Sequence, residues 1–146
     1  MSETTMTQAE REAFLAETRV GVISVSRPGR GPLSVPIWYG YTPGGVVRFV
    51  TGGGSRKAAL MRASGRLTLV VQTETPPYKY ASVEGPVRIA GAPDVERDVR
   101  AMAIRYLGEA MGERYLAAAA AEQADAVLVE LTPERWLTVD YAKTFG

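Results

Sequence analysis

The sequence predicts a mainly β fold in which about six or seven antiparallel strands close into a barrel with helices at its periphery. Three observations predict it. Extended runs bounded by Gly- and Pro-rich turns recur along the chain. Two hairpin-like connections follow one another directly, at Arg27–Pro32 and Thr42–Gly45, which favours an antiparallel meander. The helical segments are few and mostly late, unlike the regular strand–helix alternation of a doubly wound parallel sheet.

The first element is a helix, because Thr7 followed by Glu10 has the form of a capping box and Phe14 and Leu15 give it an apolar face. Val20–Ser26 reads as a strand, and Arg27-Pro28-Gly29-Arg30-Gly31-Pro32 as a turn. Leu33–Tyr41 is a second strand with Pro36 inside it. Proline has no N–H for a ladder, so this strand belongs at an edge, at a bulge, or where the sheet splays open. Thr42–Gly45 turns the chain into Val46–Thr51. After Gly52-Gly53-Gly54, Ser55–Ala63 reads as a short helix closed by Gly65. Arg66–Thr73 is a buried strand, Thr75-Pro76-Pro77 a break, and Tyr78–Ala90 a long strand. Asp94 is placed to cap a helix reaching Leu107, and Glu109–Ala121, rich in alanine, continues as a second helical piece. Asp125–Leu131 and Trp136–Tyr141 complete the extended segments.

With 146 residues, 46% hydrophobic and 23% charged, the chain suits a single globular domain spanning 1–146. No apolar run is long enough to span a bilayer, and the polar, acidic start Met1–Glu12 does not fit a secretory signal. The expectation is a cytoplasmic protein with no membrane partner. A net charge of +1 argues against a nucleic-acid partner. The chain contains neither cysteine nor histidine. That removes disulfides, thiolate nucleophiles, the usual zinc and haem ligands, and Ser–His–Asp or Cys–His catalysis. An enzyme of this composition would rely on a bound cofactor for the difficult chemistry.

The segment with the most chemistry in it is Val50-Thr51-Gly52-Gly53-Gly54-Ser55-Arg56-Lys57. A strand ends, glycines let the backbone turn, and a hydroxyl and two cations arrive at a helix start. Unpaired amides at a helix N-terminus favour an anion, and Arg56 and Lys57 add charged donors, a set suited to a phosphate ester. The order of residues is neither that of a Walker A loop nor that of a dinucleotide fingerprint. A solvated turn carrying surface cations would read the same way.

The strand with an internal proline, then Phe49-Val50-Thr51, Ser55-Arg56-Lys57, Val70-Val71-Gln72 and Tyr80-Ala81-Ser82-Val83-Glu84-Gly85, occur in an order that resembles the pyridoxamine 5′-phosphate oxidase-like split-barrel proteins. The resemblance runs from the first helix to Trp136; its strength lies in the ordered set, not in one motif. It implies a split β-barrel that dimerises around two cofactor sites and acts on a small molecule by hydride transfer. By the same resemblance Thr51, Ser55, Arg56 and Lys57 hold the cofactor phosphate. Val35, Pro36, Ile37 and Trp38 line the flavin ring, Gln72 reaches the cofactor around the shared site, and Trp136 lies near an aromatic that closes the pocket. True pyridoxamine-phosphate oxidases are longer and carry a C-terminal Arg next to a His, which this sequence lacks. The short form resembles the actinobacterial branch that uses FMN or the deazaflavin coenzyme F420. F420 is placed first, because Lys57, Arg62 and Lys79 would give its anionic tail a basic track. A non-catalytic flavin-storage or sensing protein would share this pattern.

Overall fold

The computed structural model describes residues 3–122 and 124–145; Met1 and Ser2 of the polar start lie outside the described residues. Chain order is α1 (Gln8–Ala16), β1 (Gly21–Arg27), β2 (Arg30–Ile37), β3 (Gly40–Tyr41), β4 (Val47–Gly52), α2 (Arg56–Ser64), β5 (Arg66–Gln72) and β6 (Lys79–Ile89). A π-helical stretch, Val95–Arg100, then leads into α3 (Ala101–Leu107) and α4 (Glu109–Ala119), followed by β7 (Ala126–Leu131), β8 (Arg135–Asp140) and α5 (Ala142–Phe145).

Local chemistry explains the ends of these elements. In α1 the Thr7 hydroxyl accepts from Glu10 N–H at 3.2 Å, while the Glu10 carboxylate accepts from Thr7 N–H at 2.7 Å, the reciprocal capping box read from the sequence. Ser55 caps α2, accepting from Ala58 N–H at 3.2 Å. Asp94 caps the π-helical stretch through Arg97 N–H at 2.8 Å.

The strands form an antiparallel sheet of eight, ordered β2-β1-β5-β6-β7-β4-β3, with β8 paired to β6 beside β7. Strand β6 serves both halves: Lys79–Glu84 pairs with β8 and Val87–Ile89 with β7. Between them lies Gly85, where a Cβ would fall 1.9 Å from the Thr132 carbonyl oxygen, so only glycine lets the β7–β8 connection cross here. Inward residues of both halves, among them Ile23, Val25, Phe49, Leu69, Val83 and Val129, make one fully buried core onto which α1 places Leu15.

The expected strand Leu33–Tyr41 is two strands, which is why the count is eight. Its first part pairs with β1, with Pro36 opposite Val22, and its second part pairs with β4. These are the two terminal strands of the sheet, so Pro36 lies on an edge strand and the ladder does not close. The break falls at Trp38 and Tyr39. Tyr39 N–H donates at 3.1 Å to the hydroxyl of Tyr106, and the Tyr39 hydroxyl donates to the Leu15 carbonyl at 2.7 Å. The Tyr106 hydroxyl of α3 therefore replaces a ladder partner this stretch lacks, while α1 anchors the Tyr39 side chain. Among the described residues no helix is long and apolar enough to cross a membrane.

Candidate functional site

A cleft of about 590 Å³ opens along this split. Pro36, Ile37 and Trp38 come from one margin of the sheet, and Val50, Thr51 and Gly52 from the end of β4 beside the other. Lys57 reaches in from the first turn of α2. The helical excursion between β6 and β7 supplies the facing wall through Val99, Met102 and Tyr115, with Asp98 and Glu122 as its acidic members.

Contacts at Asp98 and at Tyr106 help fix the wall to the barrel. Asp98 accepts from Arg48 of β4 at 3.2 Å, from two guanidinium nitrogens of Arg97 at 2.9 and 3.0 Å, and from Asp94 N–H at 2.8 Å. The Arg97 side chain first, and then the backbone donor and Arg48, hold the Asp98 carboxyl below the usual carboxylate range against its burial. Both oxygens are thereby occupied. At the second contact the Trp38 ring stacks on Tyr106, with centroids 5.2 Å apart and planes 7° from parallel.

The glycine loop is organised differently from the sequence expectation. Its amides do not face an open anion site: Gly53 N–H donates to the Asp125 carbonyl at 2.9 Å and Gly54 N–H to the Asp125 carboxylate at 3.3 Å. Arg62 does not face the cleft but donates to the Gly53 carbonyl at 2.8 Å. The loop is a structural brace, joined to the segment entering β7. The donors left over are the Arg56 and Lys57 amides at the start of α2 and the two cationic side chains, none of which has a partner among the described residues.

Of the residues expected to line a site, the structure brings Pro36, Ile37, Trp38, Thr51 and Lys57 together in the cleft. Thr51 is buried, 3.5 Å from the Ser55 hydroxyl, and Ser55 itself caps α2 beside it. Arg56 is exposed on the same helical turn. Val35 is half-buried against the core on the same face as Ile37, one step further along the strand and outside the cleft. Gln72 is exposed at the end of β5, opposite Tyr80 and outside the cleft. Lys79 lies 3.9 Å from Asp140, so Lys57, Arg62 and Lys79 do not form one basic track. Trp136 is also remote; it packs on the core with the Arg11 guanidinium 4.7 Å above its ring. Asp98, Met102, Tyr115 and Asp125 carried no signal of site chemistry in the sequence: the first three sit in segments that read only as helix, and Asp125 reads as the start of a strand.

Eight antiparallel strands with peripheral helices, and a cleft along the open seam, define a split-barrel protein. The chain belongs to the pyridoxamine 5′-phosphate oxidase family, whose model it matches over residues 7–140. No curated protein sequence matches it. A conserved hypothetical protein from Mycobacterium tuberculosis has a similar structure, with a TM-score of 0.81 and 21% identity over 100% of this chain and 92% of that one. An F420 reductase superposes with a TM-score of 0.66 and 23% identity, covering 86% of this chain and 94% of that one. A FAD-binding protein from Mesorhizobium loti gives 0.63 and 18%, covering 91% and 92%. At these identities the likeness is one of fold.

Proposed function

We propose that this chain is a cytoplasmic, homodimeric oxidoreductase that uses a flavin-type cofactor, F420 before FMN, to reduce a small unsaturated or quinone-like substrate. The observation that carries the reading is Lys57, a cation without a partner among the described residues, placed in a cleft that joins apolar residues (Ile37, Trp38, Val50, Val99, Met102) to polar ones in a barrel of the pyridoxamine 5′-phosphate oxidase family. Such a residue has a purpose if an anionic group joins it there.

The residues present fit such a cofactor. Lys57, the amides of Arg56 and Lys57, and the Thr51 hydroxyl would hold its phosphate, while Pro36, Ile37, Trp38 and Val50 would border its ring. When bound, a flavin or deazaflavin supplies the hydride transfer. The chain's own task is to orient the two reactants and to exclude water with apolar walls. The F420 reductase among the similar structures supports placing F420 first. An anionic tail would find Arg56, exposed next to Lys57, in place of the dispersed cations Arg62 and Lys79.

Dimerisation is supported by the outward face of the sheet. Pro36, Val22, Val70, Ser82 and Leu137 are in cross-strand register over five strands, forming a row that is apolar except for Ser82. Val22 is 38% and Leu137 62% exposed. The row begins at Pro36, which also lines the cleft, so a second copy on this face would border the cofactor site, and Gln72 at its rim would be able to reach the partner's site.

A second reading, cofactor storage or sensing, is favoured by Asp98: both oxygens of this buried carboxylate in the cleft wall are taken by hydrogen bonds, so it is not free to relay a proton. The absorption spectrum of protein purified from a host that makes both cofactors, followed by a hydride-transfer assay on quinones and enones, separates the two. Bound cofactor with turnover supports the enzyme, and bound cofactor without turnover supports storage. Colourless protein that takes up neither cofactor contradicts both.

A further inference from the structure

Two tyrosines meet Trp38, and they are not equivalent. Tyr106 lies flat against the indole, and its hydroxyl is committed, donating to the Arg19 carbonyl at 2.6 Å and accepting from Tyr39 N–H at 3.1 Å. Tyr115 meets the same indole at 5.3 Å with its plane tilted by 56°. It lines the cleft, is 38% exposed, and its hydroxyl has no hydrogen-bond partner among the described residues. One ring is structural; the other is presented to whatever enters.

The position of Tyr115 is built in by its own helix. Three residues earlier, Gly112 is buried where α4 crosses α3, and a Cβ there would meet the Ala103 and Ile104 backbone at 3.2 Å. Glycine lets the two helices close to backbone contact. Residues three apart share a helical face, so this contact aims Tyr115 at Trp38 and the cleft.

We propose that Tyr115 is the specificity-determining residue of the cleft, contacting a planar heterocycle with its ring and a carbonyl at that heterocycle's edge with its hydroxyl. The inference rests on the flavin-type reading of the cleft. It assigns the two ends of the site different work: Lys57 reads the anionic arm and Tyr115 reads the ring. An aromatic contact and a free donor together favour planar ligands with an acceptor edge over equally charged ligands without a ring.

Wild type, Tyr115→Phe, Tyr115→Ala and Lys57→Ala are titrated with F420, with FMN, and with ribose 5-phosphate, which has a phosphate arm but no planar heterocycle. Tyr115→Ala is expected to weaken the cofactors about tenfold or more, and Tyr115→Phe about three- to tenfold, with ribose 5-phosphate unchanged in both. Lys57→Ala is expected to weaken all three. If wild type binds a cofactor and Tyr115→Ala binds it within about twofold of wild type, the role given to Tyr115 is wrong and the flavin-type reading stands. The role is equally wrong if the Tyr115 variants lose ribose 5-phosphate in the same measure as the cofactors. If wild type binds neither cofactor, the reading of the cleft fails and takes this inference with it. Tyr115→Phe keeps the ring against Trp38, so its result is independent of any folding defect in the alanine variant.

Discussion

Trp38 lies flat on Tyr106, ring centroids 5.2 Å apart, at the point where the sheet fails to close. The Tyr106 hydroxyl does there what a neighbouring strand does elsewhere: it accepts from Tyr39 N–H and donates to the Arg19 carbonyl. Tyr106→Phe keeps the stack and removes those bonds, leaving a backbone donor and a carbonyl without their partner. A loss of about 1–3 kcal/mol is expected, read as a lower urea midpoint with unchanged slope. An unchanged midpoint would mean that the seam does not depend on this hydroxyl.

Gly85 marks the other weak point of the barrel, where β6 passes between the two halves of the sheet. Gly85→Ala would bring a methyl group 1.9 Å from the Thr132 carbonyl oxygen, a contact between two backbones that no side-chain rotation relieves. Destabilisation at or beyond the upper end of about 1–3 kcal/mol is expected. Thermal unfolding of the purified variant measures it, and a variant as stable as wild type would show that the two backbones cross less tightly than this.

Glu10 ties the chain's first helix to its last. Its carboxylate accepts from Lys143 at 2.6 Å and from Thr7 N–H at 2.7 Å, and these bonds, that from Lys143 foremost, hold its pKa at about 2 against an ordinary 4.5. A lowered carboxyl pKa contributes stability that is present above the unfolded value and is lost as pH falls through the folded one. Wild type should therefore lose its advantage over Glu10→Gln between about pH 4.5 and pH 2, with no such convergence near neutral pH. Urea midpoints of both proteins across that range give the comparison, and parallel curves would contradict it.

The order of the elements was legible in the residues because their ends carry local signals: Thr7 with Glu10, Ser55 before α2, Asp94, and the glycine and proline turns. The division of Leu33–Tyr41 was not, since the break at Trp38 and Tyr39 depends on a hydroxyl 67 residues away; nor were α5 or the tightness of the first hairpin, where Arg30–Pro32, read as turn, already pairs in β2. The site divides in the same way. Thr51 and Lys57 stand out by turn chemistry, and Pro36 to Trp38 by resemblance to a known family. Met102 and Tyr115 look like ordinary helix residues until the excursion between β6 and β7 folds over the cleft. The glycine loop looked like an anion cradle because nothing local reveals that Asp125, far along the chain, takes its amides.

Lys57 is the residue on which the proposed function turns, as the holder of a flavin-type cofactor's phosphate in this cleft. Fluorescence titration of wild type and Lys57→Ala with F420 and with FMN tests it most directly. Wild type should bind at least one of them at submicromolar affinity. Lys57→Ala should lose about 1.5–3 kcal/mol, roughly ten- to a hundredfold in Kd, with its melting temperature unchanged because the side chain has no partner to lose among the described residues. Equal affinity in the two proteins would contradict the placement of the phosphate, and micromolar or weaker binding of both cofactors by wild type would contradict the function itself.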